Sequence, residues 1–519
     1  MRNMFLFLVF LGATGAVFSQ GGISFQKVKE FYINGDTRVI GNSILNDHES
    51  RANNRPKALN DRTEMVYVDI DKDSNTFSSS SADLQIPAGA TIAYAGLYWA
   101  ATYPGALGKQ KVRGNRLVYD VQKKRNRAFD LVQLKIPGAS TYETIQGELI
   151  YDGMLDYNTD LKNAAPYVCY SDITDLLLSK NAGSGTYTLA NVTALEGIMY
   201  GGSSAGWMLY LIYEQKQEPL QYMTSYHGFR YISLNTVEEL TFSNFRAREE
   251  GQVKTSLTLA GLEGDLMLAK DAVAIFGEKN QEYVPLKSKV RYENNFFNSS
   301  VTLGDKKYLA RNPASLNTLG FDLAKLDIPN ENNSLIDNDA TSVKLRFKTE
   351  EDRLFVFFTA FQTEISSEFY QRVVVEGKED RLPAKEEVEP TTETPELVAY
   401  EKDGTIEDDV ATDTQPDKNE NRDPALQDML SAPSIQIEGQ PVGYYVVNHV
   451  FSKTTNAKSW AQKMENLGFA TKNFVNLANG YHYIYIDFSQ DPDALYGRLQ
   501  GYRKMKDLEK AWILKVNLD

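Results

Sequence analysis

From residue 24 to residue 375 the chain is a succession of short runs rich in Val, Ile, Tyr, Phe and Thr, interrupted by Gly, Asn, Asp and Pro. β-Branched and aromatic side chains pack well on a pleated surface, and the interrupting residues are those that turns require. Thr91–Trp99 follows the turn Pro87-Ala88-Gly89, Thr186–Val192 follows Gly183-Ser184-Gly185, and Trp207–Tyr213 follows Gly201-Gly202. Arg353–Phe358 reads as a buried strand near the end of the region. Helical periodicity is scarce, Ser171–Ser179 being the best short helix. This pattern predicts a mainly β region made of antiparallel sandwiches. Residues 20–375 exceed the size of one sandwich, so two sandwich subdomains are expected, with a break near 215–221. A membrane β-barrel is the rival, but it needs regular lipid-facing alternation over about ten residues, which is missing.

The flanking segments differ in kind. Residues 1–19 have the layout of a signal peptide: Arg2, the apolar stretch Met4–Leu11, then Val17-Phe18-Ser19 before Gln20. No Cys follows the apolar stretch, which excludes a bacterial lipoprotein anchor. The longest later apolar run is Trp207–Tyr213, so no transmembrane helix is expected. The chain is therefore expected to be exported, to the periplasm, the outer membrane or the cell surface. Residues 376–441 lose apolar periodicity and fill with Glu, Asp, Thr, Pro and Asn. Such a segment cannot bury enough apolar surface to offset its ordering entropy and is expected to be an acidic disordered linker. Its 66 residues would span roughly 45 Å as a flexible chain.

Charge narrows the partners. The chain has 519 residues and a net charge of −14, with 55 Lys and Arg against 69 Asp and Glu. That balance argues against a protein that coats nucleic acid or anionic lipid. The acidity is concentrated: residues 376–424 hold 17 acidic and 6 basic side chains, whereas residues 442–519 hold 7 and 10. One cysteine, Cys169, excludes an intramolecular disulfide, and four scattered histidines supply no local ligand motif.

Three local constellations bear on chemistry. Asp69, Asp71 and Asp73 place carboxylates at every second position. They converge on one hard cation such as calcium if the backbone curls around it, or share a solvated face if it stays extended. Gly202-Ser203-Ser204-Ala205-Gly206 matches the nucleophile-elbow pattern, but that motif needs a helix after it, and a strand-like run follows. A tight turn or close packing beneath Trp207 is the alternative. Asn294–Ser300 combines loop-satisfying Asn and Ser with two anchoring Phe residues, the composition of an ordered turn.

Several spaced stretches carry a resemblance: Phe31–Asp36 through Ile40–Leu45, Ile86–Ala90 through Gly96–Trp99, Ala190–Val192, Gly201–Trp207 and Asn294–Ser300. Together they resemble a large extracellular module of surface and gliding-motility-associated proteins in bacteria that use type IX secretion. The resemblance spans most of residues 30–365. It implies a β-rich module on or near the outer surface, with no known enzyme activity and no catalytic residues to carry over.

Residues 442–519 read as a small α+β domain of βαββαβ order. The strands are Tyr444–Phe451, Ala470–Leu477, Tyr481–Phe488 and Ala511–Val516, with an Asn-Gly hairpin signal at Asn479-Gly480. One helix begins at Thr454 or Thr455 and ends before Gly468, and a second opens at Asp491-Pro492. The stretches Tyr444–Val447, Phe451-Ser452, Asn456-Ala457 and Tyr481–Phe488 are similar to the SPOR domain. That resemblance implies binding to peptidoglycan glycan strands through the open sheet face. Val447 stands where the family usually has Gln, and His449 and Ile486 stand where Gly is common. Alternation puts Val447, His449 and Phe451 on one side of the first strand. On the third strand either His482, Ile484 and Ile486 or Tyr481, Tyr483 and Tyr485 share that side. The candidate contact residues are Val447, His449, Phe451, His482, Tyr483 and Tyr485. An aromatic face without polar glycan donors fits an envelope protein better than a glycan.

These readings combine into an expectation: an exported, non-enzymatic component of a cell-envelope or gliding-motility adhesin apparatus. Its partners would be outer-membrane or cell-surface gliding and secretion proteins, with peptidoglycan or an envelope protein at the C-terminal domain. A carbohydrate-binding or hydrolytic surface protein is the alternative.

Overall fold

The computed structural model describes residues 21–377 other than 115, 157, 235 and 352, then 426, 434, 437 and 440–517 with gaps at 452–453, 466–468, 470, 477–480, 490–491, 504–507 and 509–510. The expected signal peptide, most of the expected linker and the Asn479-Gly480 turn lie outside the described residues. The chain divides into two compact units, Met1–Arg381 and Leu382–Asp519.

The first unit is mainly β, with large and mostly antiparallel sheets and a few short helices. The helix expected over 171–179 forms as Thr174–Ser179, after Asp172 Oδ1 accepts the Thr174 amide at 3.1 Å. Its organising element is the long strand Gly22–Ser43. The earlier part of this strand pairs with Leu220–Ile232, from Gly22 against Arg230 to Asn34 against Leu220. The later part pairs with Ala205–Glu214, from Gly35 against Glu214 to Ser43 against Gly206. The turn at 215–219 separates these two partners. One strand thus joins two halves of a single 11-stranded sheet.

The two halves lie face to face. Tyr94, Tyr98, Met208, Tyr210 and Ile212 from one half share a core with Met223, Phe229, Leu262, Phe321, Phe355 and Phe358 from the other. The outer face of the first half, with Leu97, Trp99, Trp207 and Leu209, packs on Leu134, Tyr187 and Leu189 of a five-stranded sheet. The outer face of the second half, with Leu257, Leu259 and Phe361, packs on Phe242, Val273, Ile275, Leu345 and Phe347 of a four-stranded sheet. Four layers therefore enclose three apolar interfaces. This explains the unbroken apolar run Trp207–Tyr213: odd-numbered residues serve one core and even-numbered residues the next, so neither face needs polar side chains.

The second unit contains strand Gly443–Phe451, helix Thr454–Glu465, strands Lys472–Asn476 and Tyr481–Ser489, helix Pro492–Tyr502 and strand Trp512–Val516. All its strand pairs are antiparallel, with Tyr481–Ser489 and Gly443–Phe451 in the middle. Val446 and Ile513 pack on Leu495 and Leu499 of the second helix. Tyr445, Val447, Phe474 and Val516 form a separate cluster.

Candidate functional site

The strand Gly443–Phe451 does not alternate cleanly. Its register against Tyr481–Ser489 shifts between Val446 and Val447 and again between Val447 and His449. At the second shift the extra residue, Asn448, lies on this strand, and it re-aims the side chains that follow. Tyr445 and Val447 share one cluster, but His449 and Phe451 turn to the helix side, where the His449 ring lies 4.1 Å from the Trp460 ring and 5.4 Å from that of Phe451. The expectation that Val447, His449 and Phe451 share one face is corrected on this point. On the third strand, Ile484 is buried and Ile486 packs on the second helix, so His482, two residues earlier, is also on the helix side. Tyr483 and Tyr485 take the opposite face with Phe474. Val447 itself is fully buried and offers no contact surface.

The face that remains is aromatic. The Phe474 and Tyr483 rings stack with centroids 5.4 Å apart, and Tyr485 meets Tyr445 edge-on at 4.9 Å. Val450, Tyr483, Tyr485, Phe488, Trp512 and Leu514 are partly exposed along it. Ile437 from the preceding segment packs against it, its amide donating to Asn517 Oδ1 at 2.7 Å. Flat, half-exposed rings of this kind bury apolar surface against either a sugar face or a protein side chain. Sequence reading named Tyr483 and Tyr485 but missed the partly exposed Phe488 and Trp512, and the buried Tyr445 and Phe474 that support the face from beneath. For Tyr445 the signal was present, two residues before Val447.

In the first unit a cleft of about 390 Å³ opens where the shared strand passes from one half to the other. Asp36 lines it with Gln221, Ser256, Lys325 and Gln362. Lys325 Nζ donates to Asp36 Oδ1 at 3.0 Å and to the Thr37 carbonyl at 2.7 Å. Gln362 Nε2 donates to Asp36 Oδ1 at 2.8 Å and to Gln221 Oε1 at 2.6 Å, and Arg38 pairs with Asp36 Oδ2. Burial pushes the Asp36 carboxyl up, but Lys325 and Arg38 outweigh it and hold the pKa down to about 2. The network consumes its own charges: it is a polar joint, with the carboxylate kept ionised by two cations.

Asp69, Asp71 and Asp73 fall in a loop. Asp69 Oδ1 and Asp71 Oδ1 both accept from the Ser79 hydroxyl, at 2.9 and 3.0 Å, and Tyr142 donates to Asp71 Oδ2. Asp73 Oδ1 accepts the Asn75 amide at 2.9 Å. Partial burial raises the Asp71 carboxyl, but the bonds from Tyr142, the Asp73 amide and Ser79 overcome it, leaving the pKa lowered. Among the described residues no group of three or more His, Cys, Asp or Glu is arranged to hold a metal ion.

Ser204 is fully buried, and its hydroxyl donates to Glu263 Oε1 at 2.6 Å. Gly206 sits beneath Phe321 so closely that a Cβ would lie 2.3 Å from the ring. His227, the first histidine after Ser204 in the chain, packs against Tyr98 and Tyr170, at 6.0 and 5.3 Å between rings. In Asn294–Ser300 the amides of Phe296 and Phe297 both donate to Asp271 Oδ1 at 2.8 Å, and those of Asn298 and Ser299 to Asp322. Cys169 is buried, and burial pushes its thiol pKa up, away from reactivity.

No family model matches the chain, and no curated protein matches it. Among solved structures it is similar to BuGH86 in complex with neoagarooctaose (12% identity, 53% of this chain and 32% of that chain, TM-score 0.17). It is also similar to PNGF-II (10% identity, 63% of this chain and 65% of that chain, TM-score 0.18) and to the STIV MCP (8% identity, 54% and 91%, TM-score 0.16). The chain thus spans about a third of the length of the first and just under two-thirds of the second. At these TM-scores the likenesses carry no argument about fold or chemistry. Among the described residues no helix is long and apolar enough to cross a membrane.

Proposed function

We propose that this is an exported, non-enzymatic component of a bacterial cell-envelope or gliding-motility adhesin apparatus. The β-rich unit, read as two sandwiches sharing the strand Gly22–Ser43, contacts protein partners at the outer membrane or cell surface. Residues 376–441 act as an acidic linker that provides reach. The C-terminal domain docks to peptidoglycan or to an envelope protein. The observation that carries this reading is the partly exposed aromatic sheet face of Tyr483, Tyr485, Phe488 and Trp512. Aromatic rings supply large contact area at low conformational-entropy cost, which suits recognition rather than catalysis.

Co-sedimentation of the full chain with purified peptidoglycan sacculi tests the glycan branch. Binding that is lost in Tyr483→Ser/Tyr485→Ser supports it. No sedimentation leaves docking to an envelope protein, for which cross-linking in intact cells is the assay. The alternative, a carbohydrate-binding or hydrolytic surface protein, draws on the same rings for its lectin form. Its hydrolytic form rests on Ser204, whose burial and bond to Glu263 suit packing better than attack on a substrate.

A further inference from the structure

The first unit carries a feature that its average charge conceals. Leu107–Arg113 and Arg116–Lys123 form an antiparallel ribbon with a turn at Gly114, where φ is +61°. Its base is held by parallel pairing of Leu107 and Gly108 with Glu196 and Gly197. Gly197 in turn exchanges two 2.7 Å backbone hydrogen bonds with buried Met65. Beyond this anchor most of the ribbon is exposed, a reach of about 20 Å for strands of this length.

The pairing register sorts its side chains. Residues directly opposite each other in an antiparallel pair share a face. Lys109 opposite Asp120, Lys111 opposite Val118 and Arg113 opposite Arg116 make one face basic. Val112 opposite Leu117 and Gly108 opposite Val121 make the other largely apolar, with Gln110 opposite Tyr119 between them and donating to its hydroxyl at 3.0 Å. Val112 is 71% exposed and Leu117 58%, and the exposed Tyr200 extends the patch, its ring 6.0 Å from that of Tyr119. Leu107–Lys123 contains five Lys and Arg against one Asp, within a chain whose net charge is −14. An apolar strip of this exposure on a folded unit marks an interaction surface.

We infer that the ribbon 107–123 is an amphipathic arm that binds the surface of an anionic lipid membrane. The two faces together choose the occupant. A nucleic acid or acidic peptide would match the basic face but leave Val112, Leu117 and Tyr200 in water. An apolar protein groove would match the other face and leave Lys109, Arg113 and Arg116 unneutralised, since Asp120 pairs with Lys111 at 2.9 Å. An anionic bilayer surface offers both, with phosphate groups for Lys109, Lys111, Arg113 and Arg116 and the acyl boundary for Val112 and Leu117 at the tip. The inference is independent of the C-terminal aromatic face.

The full chain is tested by flotation with vesicles of phosphatidylcholine, with and without phosphatidylglycerol. Three proteins are compared: wild type, K109Q/K111Q/R113Q/R116Q and V112S/L117S/V121S. All altered side chains on the tip are exposed, so circular dichroism and melting temperature are expected to be unchanged, which separates a binding defect from misfolding. Wild type is expected to float only with the anionic vesicles, with affinity falling as salt rises. Each variant is expected to lose at least about tenfold in partitioning. Absence of flotation by wild type overturns the inference. So does loss in the charge variant with full retention in the apolar variant, because that outcome describes a general polyanion site.

Discussion

Ser204 Oγ donates a 2.6 Å hydrogen bond to Glu263 Oε1 at a place where neither side chain is more than 2% exposed. Arg353 Nη2 completes the group, 3.1 Å from Glu263 Oε2. Burial raises the Glu263 carboxyl despite Arg353 and Ser204. Removing a donor from a buried carboxylate costs about 1.5–3 kcal/mol. Ser204→Ala is therefore expected to lower stability by that amount in urea denaturation. Loss of a hydrolytic activity at unchanged stability would contradict this structural role.

Asp271 and Asp36 are expected to shape the pH dependence in opposite directions. Asp271 is buried, and burial together with the nearby Asp322 raises its pKa to about 7 against the pull of the Phe296 and Phe297 amides and of Arg291. Its folded pKa exceeds its unfolded value, so its contribution is complete below about pH 4 and is lost as pH rises toward 7. Asp36, lowered to about 2, contributes above about pH 4 and loses that contribution as pH falls toward 2. Hydrogen-exchange protection of the 296–300 amides should decline from pH 4 to 7 in wild type and flatten in Asp271→Asn. A slope that persists in this variant would assign the effect elsewhere.

Arg291 is 1% exposed and holds the 291–300 segment together. Its guanidinium donates to Thr302 Oγ1, Asp322 Oδ1 and the carbonyls of Phe296, Ser300 and Leu323. Breaking a buried ion pair by removing one partner costs about 3–5 kcal/mol. Arg291→Met is expected to lower the melting temperature accordingly. Arg291→Lys should rescue little, since an ammonium cannot reproduce the planar fork. Full rescue by Lys would show that charge alone matters there.

For the C-terminal domain the contrast lies between adjacent residues. Tyr483→Ser and Tyr485→Ser are expected to weaken envelope binding about tenfold or more, whereas His482→Ala leaves it unchanged, because alternation puts His482 on the helix side. Equal losses from both substitutions would mean that the face assignment does not govern binding.

The acidic loop allows a direct calcium test. Asp71 Oδ1 and Oδ2 accept from Ser79, Thr76 and Tyr142, so Asp71→Asn is expected to lower the melting temperature with or without calcium. A calcium-dependent rise in wild type that disappears in the variant would instead make these carboxylates ligands.

Local pattern and tertiary context divided the work at identifiable residues. Short runs of β-branched and aromatic residues with Gly, Asn and Pro punctuation marked Thr91–Trp99, Trp207–Tyr213 and Arg353–Phe358 as strands, where the structure has Thr91–Thr102, Ala205–Glu214 and Leu354–Glu364, because turn and strand preferences act over a few residues. The order of elements in 442–519 was legible for the same reason. Over 481–486, however, both alternating sets are apolar or aromatic, so alternation could not say whether His482 or Tyr483 faces outward. Packing of Ile484 and Ile486 toward the helices decided it.

The sequence alone determined that the long N-terminal region is mainly β and that acidity gathers in 376–424. Composition and short-range periodicity are properties of neighbours along the chain. Only the tertiary structure decided that Gly22–Ser43 would pair with Leu220–Ile232 in one half and Ala205–Glu214 in the other, partners well over a hundred residues away. It also decided that a register shift at Val447 would turn His449 toward Trp460, and that Lys109, Lys111, Arg113 and Arg116 would share one face of an exposed ribbon. Pairing register and the packing of distant layers set which side of each strand meets water, and local alternation supplies only the two choices.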